Sequence, residues 1–400
     1  MINLVIINGG RGASSIIPEI LSDPQIKLTS IVNAYDDGKS TGRIRNYFNM
    51  LGPSDIRKVQ ELMIPDSISQ ADTVRDLFNF RYPEGTPYEK AIESILMLIN
   101  KSKYTFLDSD ISSKNIHQFV KASLEKFLEY LSINENIVKD RFDFSDCSIM
   151  NCIYAGAFLN NNRNIDLVAQ QVEKFFSLRG SVIPTNIEDK YLVGLRENGE
   201  VLYSEAEIVE LRSSVKIKRI YLIDHPLEQN LLESLSHNER EDYLELNKSY
   251  VEATEKSVSA LEMADIIIYS SGTQHSSLYP TYMTNGIPEA ISKNTSAKKF
   301  FITNIGEDYE TPSYRASDFI KGALRYLNYS TSRNYEFEDF FDYALVNQPN
   351  SDEEYLIEYD EEAFKDINVE ILLKNFESNK YKGKHDGKKL LETILRSFRS

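Results

Sequence analysis

The chain contains 400 residues, of which 61 are acidic and 45 are basic, and its formal charge at pH 7 is −16. This charge argues against nucleic acid or an anionic membrane surface as the main partner, because both attract net positive charge. Apolar residues, 41% of the sequence, suffice for a sizeable core. The sequence begins with a strand pattern rather than a signal peptide, and no apolar run approaches the roughly 18 residues of a membrane helix, so we expect a soluble cytoplasmic protein.

The first strand pattern, Ile2 to Ile7, runs into a glycine-rich turn. Glycine has no Cβ, so the main chain can turn sharply and its N–H groups can approach a ligand closely. If a helix follows over Ala13 to Leu21, these N–H groups lie at its positive end, where a phosphate is stabilised. The residues that we expect to bind phosphate here are Gly9, Gly10, Arg11, Gly12, Ser14 and Ser15.

A second strand pattern, Leu28 to Ala34, runs into the loop at 36–45, which has two adjacent acids, two glycines, two hydroxyls and three cations. This mixture suits a magnesium-bound diphosphate, because carboxylates bind the hard cation and arginines bind phosphate oxygens. A dinucleotide site needs only one acid for the ribose, and Ser15 stands where its fingerprint has the third glycine. An NAD-dependent oxidoreductase is therefore the weaker alternative.

A third motif, Pro-Ser-Asp-Ile-Arg, follows at Pro53 to Arg57. In the same order, the segments Gly9–Ser14, Ala34–Arg45 and Pro53–Arg57 resemble three motifs of the CofD-like 2-phospho-L-lactate transferase family, including its YvcK-like branch. We identify the chain as a divergent member of this family. The resemblance implies a Rossmann-like α/β fold.

Apolar residues recur at helical spacing from 51 to 100 and predict helices there. The stretch at 101–145 is more polar with an amphipathic middle, and it predicts a helical insertion or cap. A buried helix is predicted from Ser148 to Leu159.

The only cysteines, Cys147 and Cys152, lie five residues apart at this predicted helix, so a bond between them would not brace distant parts of the chain. We interpret them as reduced core thiols of a cytosolic protein. The YvcK-like branch has the motif G-H-S-F-G-N at this point. Ser148 and Asn151 match it, whereas Cys147 replaces the histidine, so a role of that histidine does not carry over.

A hairpin is predicted from Tyr191 to Tyr203 around the Asn198-Gly199 turn. Strands and helices then alternate with short connections, which predicts right-handed crossovers and a doubly wound sheet. The expected fold is α/β: a Rossmann-like, doubly wound, mostly parallel sheet with a helical insertion and a small antiparallel hairpin. We expect one domain over 1–400, with residues 330–400 as a C-terminal extension that completes it. The later predicted strands are Arg219–Asp224, Asp265–Tyr269 and Lys298–Thr303.

The loop after Asp265–Tyr269 is a third candidate site, because its hydroxyl and amide side chains lie where open α/β sheets bind ligands. It resembles the family's G-P-G-S-L-Y segment. His275 could donate to a phosphate or act as a base, and it could equally bond its loop neighbours. The residues that we expect to bind the ligand are Gly272, Thr273, His275, Ser276 and Ser277.

Two later segments also resemble the YvcK-like branch. Glu310-Thr311 and Asp318 correspond to one of its motifs, and His385-Asp386-Gly387 is similar to its H-D-P segment. The resemblance therefore spans most of the chain and thins through the predicted insertion.

The resemblance implies transfer of a phospho-acyl group, of the 2-phospholactate or phosphoenolpyruvate type, from a nucleoside-diphosphate-activated donor to an acceptor hydroxyl, with Mg²⁺ as the cofactor. The partners are then a nucleoside-diphosphate-linked small molecule and a small-molecule acceptor, with a homodimer left open. The implied catalytic residues are Asp37, Asp55 and Arg45, the metal ligands are Asp36, Asp37 and Asp55, and the further phosphate-binding residues are Arg43 and Arg57.

The main alternative comes from the YvcK-like branch, to which the Asp-Asp-Gly and Asp-Ile-Arg segments are closer than to the transferases. That resemblance implies a non-catalytic, UDP-sugar-binding regulatory protein that controls carbon or cell-envelope metabolism.

Overall fold

The computed structural model describes residues 1–68, 70–101, 113–138, 141–349, 353 and 355–400. The chain divides into two compact units: unit 1 comprises Met1–Tyr35 and Ile183–Ser400, and unit 2 comprises Asp36–Val182. The insertion predicted over 101–145 falls in unit 2, and its residues 102–112 and 139–140 lie outside the described residues. A single domain over 1–400 stays a prediction.

The strands are β1 (Ile2–Ile7), β2 (Ile26–Val32), β3 (Ser181–Pro184), β4 (Tyr191–Arg196), β5 (Val201–Leu202), β6 (Ile217–Ile223), β7 (Ile266–Tyr269), β8 (Lys298–Ile302), β9 (Tyr343–Asn347) and β10 (Glu370–Lys374). The helices of the first half are α1 (Ile16–Ser22), α2 (Lys39–Phe48), α3 (Ser54–Leu62), α4 (Ala71–Asn79), α5 (Tyr88–Lys101), α6 (Lys114–Val138), α7 (Ile149–Asn160) and α8 (Ile165–Phe176). Those of the second half are α9 (Glu205–Glu210), α10 (Gln229–Ser234), α11 (His237–Asn247), α12 (Glu255–Glu262), α13 (Tyr279–Tyr282), α14 (Ile287–Lys293), α15 (Ala316–Leu327), α16 (Phe337–Phe340), α17 (Glu361–Phe364) and α18 (Gly387–Arg399), and a π-helical turn spans Gln274–Leu278.

The main sheet has the strand order β10-β9-β8-β7-β1-β2-β3. Strand β1 pairs in parallel with β2 on one side and with β7 on the other, and the pairs β7/β8, β8/β9 and β9/β10 are also parallel. Every residue of β7 is buried, as expected for a strand covered on both faces. The strand order reverses between β1 and β7, and open α/β sheets bind ligands at the carboxyl ends of the strands at such a switch point. The predicted doubly wound fold is confirmed.

A small antiparallel sheet, with the order β5-β4-β6, belongs to unit 1. Its β4–β5 hairpin turns at Gly199, whose φ of +81° favours glycine, so the predicted hairpin is confirmed. The strand predicted at Arg219–Asp224 is β6, and it joins this sheet by pairing with β4. Val193, Leu195 and Tyr221 contribute to the buried cluster beneath the sheet.

Helix α7 lies inside unit 2 and is buried from Ile149 to Phe158. It is apolar on nearly all sides, which is typical of an interior helix. Cys147 and Cys152 are free, buried thiols with their Sγ atoms 3.8 Å apart, in agreement with the expected core thiols. A Cβ on Gly156 would overlap the main-chain carbonyl of Ser123 in α6, so the two helices pack with almost no space between their backbones.

Within the described residues, none of the helices combines the length and the apolar character that crossing a membrane requires.

The close packing of α6 on α7 predicts that Gly156→Ala destabilises the protein. Replacing glycine by alanine inside a helix ordinarily stabilises it by about 0.5–1 kcal/mol. Here the added methyl group must push the helices apart, so we expect a loss of about 1–3 kcal/mol in the free energy of unfolding, measured by urea denaturation.

Gly85→Ala is the matched control, because its Cβ would meet no described atom within 4 Å. Its φ of +66° limits the expected loss to about 1 kcal/mol. A Gly156→Ala protein as stable as the wild type would contradict the packing.

Candidate functional site

The turn after β1 packs directly against the loop after β7 in unit 1. A Cβ on Gly9 would lie 2.5 Å from the Cβ of Ser277, and a Cβ on Gly12 would overlap the main-chain carbonyl of Ser271. Both glycines are therefore needed for the two loops to approach each other. Helix α1 begins at Ile16, three residues later than predicted, because tight turns occupy the residues before it. Gly9 and Gly10 are buried, whereas Arg11 and Ser14 are exposed.

Hydrogen bonds also connect the residues at the carboxyl ends of β1 and β2 to this edge of the main sheet. Asn8 accepts a hydrogen bond from Ser30 Oγ at 2.6 Å and donates to the carbonyl of Gly9 at 2.7 Å. Asn33, directly after β2, donates to the carbonyl of Ser277. Three strand ends thus converge on the polar loop that follows β7.

Glu310 holds the π-helical turn of that loop. Its carboxylate accepts hydrogen bonds from the main-chain N–H groups of His275 (2.8 Å) and Ser276 (3.0 Å) and from the Ser276 hydroxyl. Burial, with a smaller contribution from the negative charge of Asp308, raises the pKa of Glu310 to about 8. Glu310 stands out in the sequence by resemblance alone, with no predicted role in the site.

Asn304, at the end of β8, holds the start of the same loop. Its Oδ1 accepts from the N–H of Gly272 at 2.9 Å, and its Nδ2 donates to the carbonyl of Gly272 at 3.0 Å. Asp308 accepts from Asn304 and from the N–H groups of Glu310 and Thr311. Thr273 and Ser277 share a hydrogen bond of 2.8 Å within the loop. The predicted residues Gly272 to Ser277 therefore form one ordered, supported loop.

His275 does not fit the role of a phosphate donor or base. Its side chain is 1% exposed and its ring packs edge-on against Tyr279, with the ring of Tyr326 also near. Burial lowers its pKa to about 3, so the imidazole is neutral at pH 7. We assign His275 to the packing of unit 1.

A different histidine lies at the sheet edge. The Nδ1 atom of His385 is 3.2 Å from Ser271 Oγ, and Gly387 packs against the carbonyl of Ser15 in the turn after β1. In the sequence, the His385 segment stands out only by its resemblance to a family motif. Its contact with Ser271 spans 114 residues, so no local pattern could reveal it.

In unit 2, one lysine lies near acidic residues of both the second motif (Ala34–Arg45) and the third motif (Pro53–Arg57). Lys58 Nζ lies 2.9 Å from Asp55 Oδ1 and 3.8 Å from Asp36 Oδ2. Burial and then the charge of Asp55 raise the pKa of Asp36, and the charge of Asp55 is also the main reason for the raised pKa of Lys58. Two carboxylates therefore share one cation. The spacing of Asp55 and Lys58, three residues apart on α3, was the signal that could have identified Lys58.

Hydroxyl groups extend this cluster inside unit 2. Thr41 Oγ1 lies 2.5 Å from Ser54 Oγ and 3.4 Å from Asp36 Oδ2, and Asn151 Nδ2 donates to Ser54 at 3.4 Å. Ser148 Oγ and Asn151 Oδ1 are buried and have no hydrogen-bond partner among the described residues. The motif residues Ser148 and Asn151 thus belong to the surroundings of the carboxylate pair.

The predicted phosphate-binding arginines of unit 2 contact main-chain carbonyls. Arg57 donates to the carbonyl of Phe78, and Arg43 donates to the carbonyl of Ser145 and lies 3.4 Å from Asp143. Arg45 and Arg57 are each only 4% exposed. These contacts hold Arg43 and Arg57 in structural roles, which weighs against a role for them in binding phosphate.

The predicted magnesium ligands are brought together in part. Among the described residues, no group of three or more His, Cys, Asp and Glu side chains is arranged to hold a metal. Asp36 and Asp55 do form a pair, and Mg²⁺ is commonly held by one or two carboxylates together with substrate phosphates. This donor set is compatible with Mg²⁺, which stays a prediction.

Comparison with known proteins gives a consistent result. The family model described as 2-phospho-L-lactate transferase CofD matches residues 4–384. A relative from Thermotoga maritima is 24% identical over 411 aligned residues, covering 99% of both chains. The Bacillus subtilis protein named gluconeogenesis factor is 22% identical and covers 92% of this chain and 86% of its own length. A UPF0052 family protein from Bacillus halodurans has a TM-score of 0.67 at 21% identity, with 99% of each chain covered, and supports the fold alone.

The contact between the two loops predicts that Gly12→Ala displaces them. The new methyl group would overlap the carbonyl of Ser271, so we expect the free energy of unfolding to fall by about 1–3 kcal/mol in urea denaturation. Gly306→Ala is the control, since its Cβ would make only ordinary contacts with Gly383 at 3.4 Å. Equal stability of the two variants would show that the loops do not need glycine at position 12.

The raised pKa of Glu310, about 8 against 4.5 ordinarily, predicts a pH-dependent stability. Between these values the folded protein keeps a proton that the unfolded chain has lost, so stability falls as pH rises from about 4.5 to about 8, by at most about 1.4 kcal/mol per pH unit. Glu310→Gln cannot ionise. Urea denaturation from about pH 5 to about pH 8 should show the wild type losing stability relative to this variant.

All other titrating groups are shared by the two proteins, so they largely cancel in the difference. A wild-type-minus-variant difference that stays constant over this range would mean that Glu310 does not carry the proton.

Proposed function

The chain belongs to the CofD family of 2-phospho-L-lactate transferases, and from this we propose that it transfers a phospho-acyl group from a nucleoside-diphosphate-activated donor to an acceptor hydroxyl. The transferred group is of the 2-phospholactate or phosphoenolpyruvate type. The observation that carries the proposal is the packing of the glycine-rich turn against the supported loop 270–278 at the switch point of the main sheet. Ligands bind open α/β sheets at such a point.

Phosphoryl transfer requires positioning and charge neutralisation more than complex covalent chemistry. In unit 1, the turn after β1 offers main-chain N–H groups, and the loop after β7 offers the hydroxyls of Thr273 and Ser277. Glu310 and Asn304 fix the main chain of that loop before any ligand arrives. A preformed loop loses less conformational entropy on binding, which supports its assignment to the diphosphate.

In unit 2, Asp36 and Asp55 would hold Mg²⁺, with Asp37 as the third predicted carboxylate. A bound Mg²⁺ would neutralise negative charge on phosphate oxygens. Lys58 contributes a positive charge to the same carboxylates. Burial and the charge of Asp55 raise the pKa of Asp36, and a bound Mg²⁺ would oppose this by favouring the ionised carboxylate.

A second candidate function is a regulatory protein that binds a UDP-sugar without turning it over. The Bacillus subtilis relative is named gluconeogenesis factor, which supports a role in carbon metabolism, while the UDP-sugar is what the resemblance to the YvcK-like branch implies. Isothermal titration with UDP-glucose, followed by a mass-spectrometric search for any product, separates a binder from an enzyme. Mass spectrometry of the nucleotide that co-purifies with the protein would identify the base of the donor.

The carboxylate pair predicts that Asp55→Asn and Asp36→Asn weaken binding of a divalent cation. Each substitution keeps the side-chain shape and removes one negative charge. We expect Mn²⁺ affinity, measured by isothermal titration in the presence of UDP, to fall about 10-fold or more, and Mg²⁺-dependent turnover to fall with it. Asp37→Asn, tested in the same way, decides whether the third carboxylate takes part.

Asp146→Asn is the matched control, because Asp146 also lies in unit 2 but pairs with Arg81 and Lys39. Lys58→Met provides the opposite change: removal of the competing positive charge should strengthen Mn²⁺ binding. Unchanged affinity in both Asp36→Asn and Asp55→Asn would remove the pair from cation binding.

A further inference from the structure

Ser271 and His385 form a serine–imidazole pair at the carboxyl edge of the main sheet. Ser271 Oγ and His385 Nδ1 are 3.2 Å apart, within the reach of a nucleophile and its base. The main chain of Thr303 also interacts with this ring and tends to raise its pKa. A hydroxyl and an imidazole that can act as nucleophile and base are therefore in contact.

The backbone around Ser271 also suits a nucleophile. Ser271 lies in the short connection between β7 and the π-helical turn 274–278. The next residue, Gly272, has a φ of +148°, which side-chain-bearing residues rarely adopt. A serine on a sharp strand-to-helix turn presents its hydroxyl at the top of the sheet in the α/β hydrolases. Here Asn304 holds the turn, because it forms hydrogen bonds with both the N–H and the carbonyl of Gly272.

The pair lies at the carboxyl edge of the main sheet, where open α/β sheets bind ligands. The carbonyl of Ser271 packs against Gly12 of the glycine-rich turn, Ser271 is 8% exposed and His385 is half-buried. Burial lowers the pKa of His385 to about 4, so its imidazole is neutral at pH 7.

We propose that Ser271 is a catalytic nucleophile and His385 its general base, so that transfer passes through a covalent phosphoseryl intermediate. This rests on the proposed function for the identity of the donor. Ser271 Oγ attacks the phosphorus that carries the acyl group, the Oγ–P bond forms, and the P–O bond of the diphosphate breaks. The nucleoside monophosphate leaves with the bonding electron pair, and the serine proton passes to His385.

In the second step, the acceptor hydroxyl attacks the same phosphorus. The new O–P bond forms, the Oγ–P bond breaks, and His385 returns its proton to Ser271. The proton of the acceptor is released to solvent, so the sum is one donor and one acceptor converted into one product and one nucleoside monophosphate. No redox partner is involved.

The test uses a fluorophosphonate, a phosphorus electrophile that reacts with activated serines whatever the natural donor is. Ser271 Oγ would displace fluoride, and His385 would take the proton. We expect one adduct in the full-length wild-type protein, mapped to Ser271 by peptide mass spectrometry. Ser271→Ala should lose this adduct. His385→Gln, checked for folding by its thermal transition, should form it about 100-fold more slowly.

Two variants serve as controls. Ser22→Ala removes an exposed hydroxyl that donates to the carbonyl of Glu19, and His225→Gln removes an exposed histidine. Both should label at the wild-type rate. A wild-type protein without an adduct on Ser271, or a folded His385→Gln protein that labels at the wild-type rate, overturns the proposal.

Failure of this proposal is distinguishable from failure of the proposed function. A protein that transfers a phospho-acyl group, yet shows no adduct on Ser271, keeps the proposed function without the covalent step. A protein that labels on Ser271 but neither binds nucleotide nor shows transfer keeps the nucleophile and loses the proposed function.

Discussion

The approach of the turn after β1 to the loop after β7 is the contact on which the site in unit 1 depends. It exists because Gly12 has no Cβ to collide with the carbonyl of Ser271, and because Gly9 leaves room for Ser277. The contact lies at the reversal of strand order, the place where open α/β sheets generally bind ligands. The glycines therefore serve packing inside the protein as well as any approach to a ligand.

Much of the fold was predictable because it follows from local patterns. Strands such as β1 and β7 are short apolar runs that end at glycine- or serine-rich turns, and the Asn198-Gly199 pair specifies a hairpin. The partner of a strand is not a local property, which is why the pattern at Arg219–Asp224 predicted a strand without revealing that it joins the small sheet. The start of α1 was placed three residues too early because the turns continue through Ala13 to Ser15, which contain no glycine to mark them.

The site was predictable to the level of loops and not to the level of side-chain partners. The sequence motifs predicted that Asp36 and Asp55 belong to one site. The contact of Lys58 with both carboxylates was not predicted, because it depends on where α3 positions the lysine. His275 lies in a polar loop, yet its side chain packs against tyrosine rings supplied by α13 and α15. The contact of His385 with Ser271 and the support of the loop by Glu310 depend on residues that are distant in sequence.

The central position of β1 has a consequence for how the chain folds. Leu4 pairs with Ile266, so β1 leaves the ribosome long before its partner β7 is synthesised. Contacts between residues so distant in sequence form slowly, and an unpaired strand edge promotes aggregation in the meantime. The continuous unit 2, Asp36–Val182, has no such delay. We therefore expect unit 2 to fold first during synthesis, while unit 1 assembles only after its second segment has been synthesised.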